Sequence, residues 1–320
     1  MEERYVGQRA WARGYAAPSG AHRLAWFVHC TSGSQRDLAV FEADRLMSIV
    51  TIARGTGSGG KAVAERLAEQ LGYPCLSREG LLQAAREYGV PLEDLRAAME
   101  TPPSFWERVT GARRMHLGFV QAALCNAAVG GRLVYYGHAG HLLLPGVSHV
   151  FRVRVIADLA DRIAAVMAEQ HLSRAAAATY VEQLDRERHQ WVRFLFDVDW
   201  TDPHLYDLVL HLGHMQIETA CAIIAQALEG PEFQVTPASQ QDLEDLRLAS
   251  DIWARLAVHP RTQEADLRIV AEHGVVTVTG TAPLEEIREA VPEVTRQAAG
   301  VTDVQTDIIV IPMVHDVMPY

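Results

Sequence analysis

The chain has 320 residues, with 40 Asp and Glu against 29 Lys and Arg and a formal net charge of -11, which argues against a generic nucleic-acid binder while leaving room for a local basic pocket. Its four cysteines, Cys30, Cys75, Cys125 and Cys221, are scattered without metal-ligand spacing and read as buried small apolar residues in a reducing compartment. No uninterrupted apolar stretch reaches the roughly 18 residues of a membrane span, so stable membrane insertion is not expected and a cytoplasmic location is.

Residues 1–46 fit neither of the two units that follow. They carry Arg4, Arg9, Arg13 and Arg23, several turn residues and a short apolar patch at Leu24 to Cys30, and are expected to form a flexible arm or a cap. Met47 directly precedes the first convincing strand, which makes it a candidate natural start.

The stretch Met47 to Tyr73 organises the chain. Ser48 to Ala53 is a brief apolar run rich in β-branched residues, hence a buried strand. Gly55 to Lys61 is a glycine-rich turn, and from Ala62 onward Val63, Leu67 and Leu71 recur on one helical face. Strand, glycine turn and helix form the context of a phosphate-binding loop. Amides around Gly55, Gly57, Ser58, Gly59 and Gly60 are expected to hold phosphate oxygens, aided by the helix N-terminus, with Lys61 reaching the transferred phosphoryl group. Gly55, Gly60 and Lys61 satisfy most of the general spacing, but Ala62 stands where a hydroxyl usually ligates Mg2+. The competing reading is a glycine-rich turn that binds no nucleotide.

Beyond it, Tyr73 to Leu76 supplies a short strand, Leu81 to Tyr88 and Leu92 to Met99 short helices, and Thr101 to Ser104 a break before Phe105 and Trp106, a candidate flap or a satellite core. Residues 107–129 read as a long helix, followed by strands at Arg132 to Tyr136 and His149 to Ile156. Such repeated units imply an α/β core with a mostly parallel sheet, whose ligands collect beyond the strand C-termini. After Asp158 come two helices, the second capped by Ser173 and bearing Asp185, Arg186, Arg188 and Trp191. Arg186 and Arg188 are candidates to close over a phosphate and neutralise developing charge; solvated helix charge is the bland alternative. The segment Phe196 to Asp207 is polar and turn-rich, and leads into a strand at Leu208 to Leu210 and a helix from Gln216 to Leu228. His211 and His214 lack a third donor, so no protein metal site is expected.

In that order, Arg54 to Lys61, Asp185 to Trp191, Asp199-Trp200, Asp202-Pro203 and Tyr206 to Val209 resemble the cytidylate-kinase-like branch of P-loop nucleoside monophosphate kinases. The resemblance covers most of residues 47–229. It implies a P-loop nucleotide-kinase-like parallel sheet flanked by helices, and transfer from ATP, accompanied by Mg2+, to a nucleoside monophosphate, with CMP the first acceptor to consider. It also assigns Arg78, His138 and Asp202 to the acceptor. Ser77, His138 and His211-Leu212 depart from the branch, which commonly has an aspartate, an arginine and an Asn-Thr pair there. A nucleotide-binding pseudokinase, or a regulatory interaction protein, is the alternative.

Residues 230–242, with Gly230, Pro231 and Pro237, show no period and read as a linker. A helix is expected from Asp242 to Leu256, strands at Leu267 to Val270, Val275 to Thr279 and Val304 to Ile311, and a helix at Leu284 to Ala299, with Gly274 and Gly280 delimiting the middle strand. Gly274 to Gly280 and Gly300 to Val304 resemble a BON domain, placed at residues 243–315. That resemblance implies a small C-terminal α/β module for partner binding, regulation or self-association, with no second active site.

Overall fold

The computed structural model describes residues 47–100 and 112–311. The expectations for residues 1–46, for Cys30 and for the Phe105–Trp106 flap lie outside the described residues.

Strand β1 (Ile49–Arg54) sits at the centre of a five-stranded sheet with β2 (Cys75–Ser77), β3 (Leu133–Gly137), β4 (Val150–Ile156) and β5 (Leu208–His211), in the order β2-β3-β1-β4-β5. Every pairing is parallel. Residues 49–53 of β1 are buried because a central parallel strand is covered on both faces. Its side chains alternate between two apolar layers. Ile49 joins Leu133 and Tyr135 in one, while Val50 and Ile52 join Val134, Val153 and Val155 in the other.

Helix α1 (Gly60–Leu71) packs in the second layer and stops at Gly72, whose φ of 66° lets its N–H return to the carbonyls of Ala68 and Glu69. Helix α2 (Arg78–Ala85) is capped by Ser77, which accepts from the Gly80 amide at 3.0 Å. Then come α3 (Leu92–Glu100), α4 (Ala112–Ala128) and the single turn α5 (Gly140–Leu143). Helices α6 (Leu159–Gln170) and α7 (Arg174–Phe196) form an antiparallel pair with a small core of Ile163, Val166, Ala177 and Val181, and α8 (Ile217–Leu228) lies beside α1.

The expected linker is partly helix. Pro231–Phe233 makes one 3-10 turn, and Phe233 packs edge-on to Phe151 with ring centroids 4.6 Å apart. Helix α9 then runs from Pro237 to Val258, starting five residues before the expected Asp242. Its start was hidden because the first turn is polar; Thr236 and Ser239 cap it reciprocally and Pro237 fits the first helical position. Helix α9 serves two cores. Leu243, Trp253, Ala254 and Ala257 pack into the layer around α4, whereas Leu248, Ile252 and Leu256 cover a second sheet.

That sheet contains β6 (Asp266–Glu272), β7 (Val275–Ala282) and β8 (Asp303–Val310), antiparallel then parallel, with α10 (Glu285–Arg296) crossing between the last two. Gly280 does not end β7, as expected from the sequence, but lies inside it. There a Cβ would come within 2.1 Å of the Asp266 carbonyl oxygen, so glycine serves close strand approach. Cys125 and Cys221 are buried as expected, but Cys75 is exposed because its three-residue strand forms the sheet edge. No helix among the described residues is long and apolar enough to cross a membrane.

Candidate active site

Beyond the C-terminal end of β1 the chain turns through Gly57 and Gly59, with φ of 71° and 82°, before α1 begins at Gly60. Both conformations favour glycine. A Cβ on Gly57 would also lie 2.6 Å from the carbonyl oxygen of Arg162 on α6, so the loop is pressed against that helix. Ser58 is 2 % exposed, and its Oγ, like Thr56 Oγ1, has no hydrogen-bond partner among the described residues. Orphaned hydroxyls at a helix N-terminus are donors waiting for an anion.

The loop forms one wall of a cleft of about 440 Å3. Gly55 and Ser58 line it together with Arg154 and Ile156 of β4, Arg162, Asp185 and Arg186, and the aromatic ring of Trp200. Arg162 ties the walls together. Its Nε donates to the Thr56 carbonyl at 2.8 Å and its Nη2 to Asp185 Oδ1 at 2.8 Å. Arg154 donates to the Thr201 carbonyl at 2.6 Å and stacks over Trp200, 5.1 Å from the ring centroid.

Beside the cleft the field is strongly positive. Arg188 is mostly buried, its Nη1 lies 4.0 Å from Asp185 Oδ1 and has no hydrogen bond among the described residues, and its pKa is lowered to about 10 by burial and then by Arg54, with Arg78 and Arg162 adding to the effect. His138 is buried, and burial, followed by the charges of Arg188, Arg78 and Arg54, holds its pKa well below the usual imidazole value. It is therefore neutral. Arg54 lies 5.6 Å from the Tyr136 ring centroid, and its Nε is buried without a partner among the described residues. Arg54 of β1, Arg78 of α2, Arg188 of α7 and His138 in the turn after β3 thus share one electrostatic neighbourhood.

Each expected site residue has a definite place. Gly55, Ser58 and Arg186 line the cleft, and Gly57, Gly59 and Gly60 shape its loop. Arg78, His138 and Arg188 belong to the basic cluster, with Arg78 also paired to Glu79 at 2.8 Å. Lys61 is elsewhere: its side chain is 58 % exposed, lies off the cleft lining, and approaches Glu65 to 3.9 Å along the helix. Asp202 is half-exposed and accepts from the His204 amide at 2.9 Å, ending a turn. The sequence assigns no role to Arg54, Arg154 or Arg162, although Arg54 opens the stretch that carries the family resemblance. Only Arg54 had a local signal, as a charged residue closing an otherwise apolar central strand.

The lining suits phosphates better than a metal cage. Asp185 is the one carboxylate on the cleft, it is engaged by Arg162, and no cluster of three His, Cys, Asp or Glu among the described residues forms a metal site. Asp185, Ser58 and Thr201 are the oxygen-bearing side chains of the lining that would meet a Mg2+ ion carried in by a phosphate ligand.

Residues 49–214 match the cytidylate kinase-like family, and residues 244–312 match the BON domain. A cytidylate kinase of Ignicoccus hospitalis is 29% identical over 185 residues, covering 57% of this chain and 99% of its own. One from Thermococcus kodakarensis is 24% identical over 185 residues, covering 57% and 88%. A shikimate kinase structure from Acinetobacter baumannii covers 59% of this chain and 96% of its own, at 13% identity and a TM-score of 0.36. With residues 49–214 making up more than half of its 320 residues, the chain belongs to the cytidylate kinase-like family and carries a BON domain after the kinase-like one.

Proposed function

We propose that the protein transfers the γ-phosphoryl group of ATP to a nucleoside monophosphate, with CMP the first acceptor to test. The observation that carries this reading is the meeting of a glycine loop, orphaned hydroxyls and buried guanidinium groups around one cleft. Family membership and the named cytidylate kinases support the same chemistry.

In this reading the loop and the α1 N-terminus hold the donor phosphates, while Arg78 and neutral His138 face the acceptor phosphate. An acceptor oxygen attacks the γ-phosphorus, the bond to the β–γ bridging oxygen breaks, and a nucleoside diphosphate leaves with ADP. A monophosphate with a second pKa near 6 is largely dianionic at pH 7, so no general base is needed. In the same reading Arg188, mostly buried and 4.0 Å from Asp185, neutralises charge that grows in the transition state, and Arg186 on the cleft completes the α7 side. Mg2+ bound with the nucleotide would supply further charge neutralisation.

A second reading, a nucleotide binder without transfer, is favoured by the outward placement of Lys61. Calorimetric ATP titration beside an acceptor panel of CMP, UMP, AMP and GMP separates the two. Binding with turnover supports the kinase, and binding without turnover on any acceptor supports the second reading.

The division of labour proposed here gives chemistry to residues 47–229 and interaction to residues 243–315, although α9 is common to both cores. The second sheet exposes Val270 and Ile309, consistent with a partner or self-association role. Sedimentation of the full chain against a chain ending at Val258 tests self-association, and identical behaviour removes it.

A further inference from the structure

We propose that Arg54, at the end of β1, supplies the phosphate-facing cation that loops of this type ordinarily carry on a lysine at the start of the helix. The inference deepens the nucleotide reading and rests on it. In the general pattern the lysine directly follows the closing glycine of the loop. Counting letters makes Gly60 that glycine and Lys61 that lysine. Backbone conformation says otherwise: the last left-handed glycine is Gly59, which is also the N-cap, and Gly60 is already helical. The lysine position is therefore occupied by glycine, and Lys61 lies about 100° further round the helix, exposed and directed along it to Glu65 at 3.9 Å.

Gly60 is glycine for a physical reason. A Cβ there would stand 2.7 Å from Arg54 Cβ and 3.2 Å from Arg54 Cδ. The stem of Arg54 thus fills the space through which a lysine at position 60 would leave the backbone. Its guanidinium carbon lies 5.6 Å from the Tyr136 ring centroid, its Nε is buried without a partner among the described residues, and although Arg54 is off the cleft lining its charge acts on Arg188, which pairs with the lining residue Asp185. A buried guanidinium nitrogen without a protein partner, within the field of Arg188, is stabilised by an acceptor, and a phosphate oxygen supplies both the acceptor and the opposite charge. The cation has moved from helix to strand, and the glycine at 60 is the complementary change that makes room for it.

The test measures ATP affinity by calorimetry on the full chain, for the unmodified protein and for Arg54→Met, Lys61→Met and the exchange Arg54→Gly/Gly60→Lys. Losing one buried charge-assisted contact is expected to weaken ATP about 10- to 100-fold in Arg54→Met, with a smaller loss in Lys61→Met. The exchange variant, which restores the ordinary order of loop and lysine, is expected to recover most of the affinity lost. Thermal unfolding checks that each variant is folded; should Arg54→Met not fold, Arg54→Gln takes its place. ATP binding that survives loss of the Arg54 charge, or a loss in Lys61→Met as large as that in Arg54→Met, overturns the inference alone. Absence of ATP binding by the unmodified protein overturns the nucleotide reading, and the inference with it.

Discussion

Arg162 and Asp185 lock two helices over the glycine loop: Arg162 Nη2 approaches the Asp185 carboxylate at 2.7 Å while its Nε holds the Thr56 carbonyl at 2.8 Å. One side chain of α6 thereby fixes both the loop and the helix that presents Arg186 and Arg188. Asp185→Asn should raise the KM for ATP several-fold by loosening that loop. It should also lower stability by about 1–2 kcal/mol, a value discounted because the carboxylate is partly exposed. Urea unfolding and initial rates check both, and no change in either would show that the bridge positions nothing.

Arg188 should trade stability for function. Its Nη1 has no hydrogen bond among the described residues and burial pushes its pKa down to about 10, so Arg188→Met should raise the melting temperature without ligand by about 2–4 °C. The same change should reduce the further rise caused by ATP and lower kcat at least about 10-fold. A melting temperature that falls instead would make Arg188 a structural staple.

Coupling between the two cores predicts an unusual glycine. Gly118 on α4 faces Trp253 of α9, and a Cβ there would sit 2.2 Å from the indole ring. Gly118→Ala, ordinarily worth a gain of about 0.5–1 kcal/mol within a helix, should here cost about 1–3 kcal/mol through overpacking. Trimming the ring in Gly118→Ala/Trp253→Leu should recover part of the loss. A stabilised single variant in chemical denaturation would mean that α9 does not pack on α4 this way.

Acid should weaken the fold before the carboxylates titrate. His138 is held well below the ordinary imidazole pKa by burial and the neighbouring arginines, and His141 is lowered to about 3 by burial and Arg152. Below about pH 6.5 the unfolded chain binds protons that these folded histidines refuse, so stability is present at neutral pH and lost as pH falls. The two together should contribute a slope approaching about 2.7 kcal/mol per pH unit between pH 6 and pH 5. His141→Phe should remove about half of that slope, as read from denaturation midpoints at a series of pH values; an unaltered slope would count against its burial as a neutral ring.

Much of the fold was legible because its signals are local. Val50 and Ile52 mark a central strand by β-branching, and Gly57 and Gly59 mark the loop by the backbone they permit. The site was less legible because its charges converge from afar: Arg54, Arg78, His138 and Arg188 have no shared spacing, only a shared end of the sheet. Lys61 shows the limit of a letter pattern, since the pattern counts residues while the helix start at Gly60 decides which way the next side chain points. Helix α9 is longer than its apolar period indicates because one polar turn opens a helix that serves two cores at once.

Phosphoryl transfer is read from the fate of the γ-phosphate label. The full chain is incubated with Mg2+, CMP and ATP labelled at the γ-phosphate, and the products are separated. Label is expected in the β-phosphate of CDP, or of another nucleoside diphosphate when the acceptor is changed, with a strong reduction in Arg188→Met. Label that remains in ATP with every monophosphate, in folded protein that binds ATP, would contradict phosphoryl transfer.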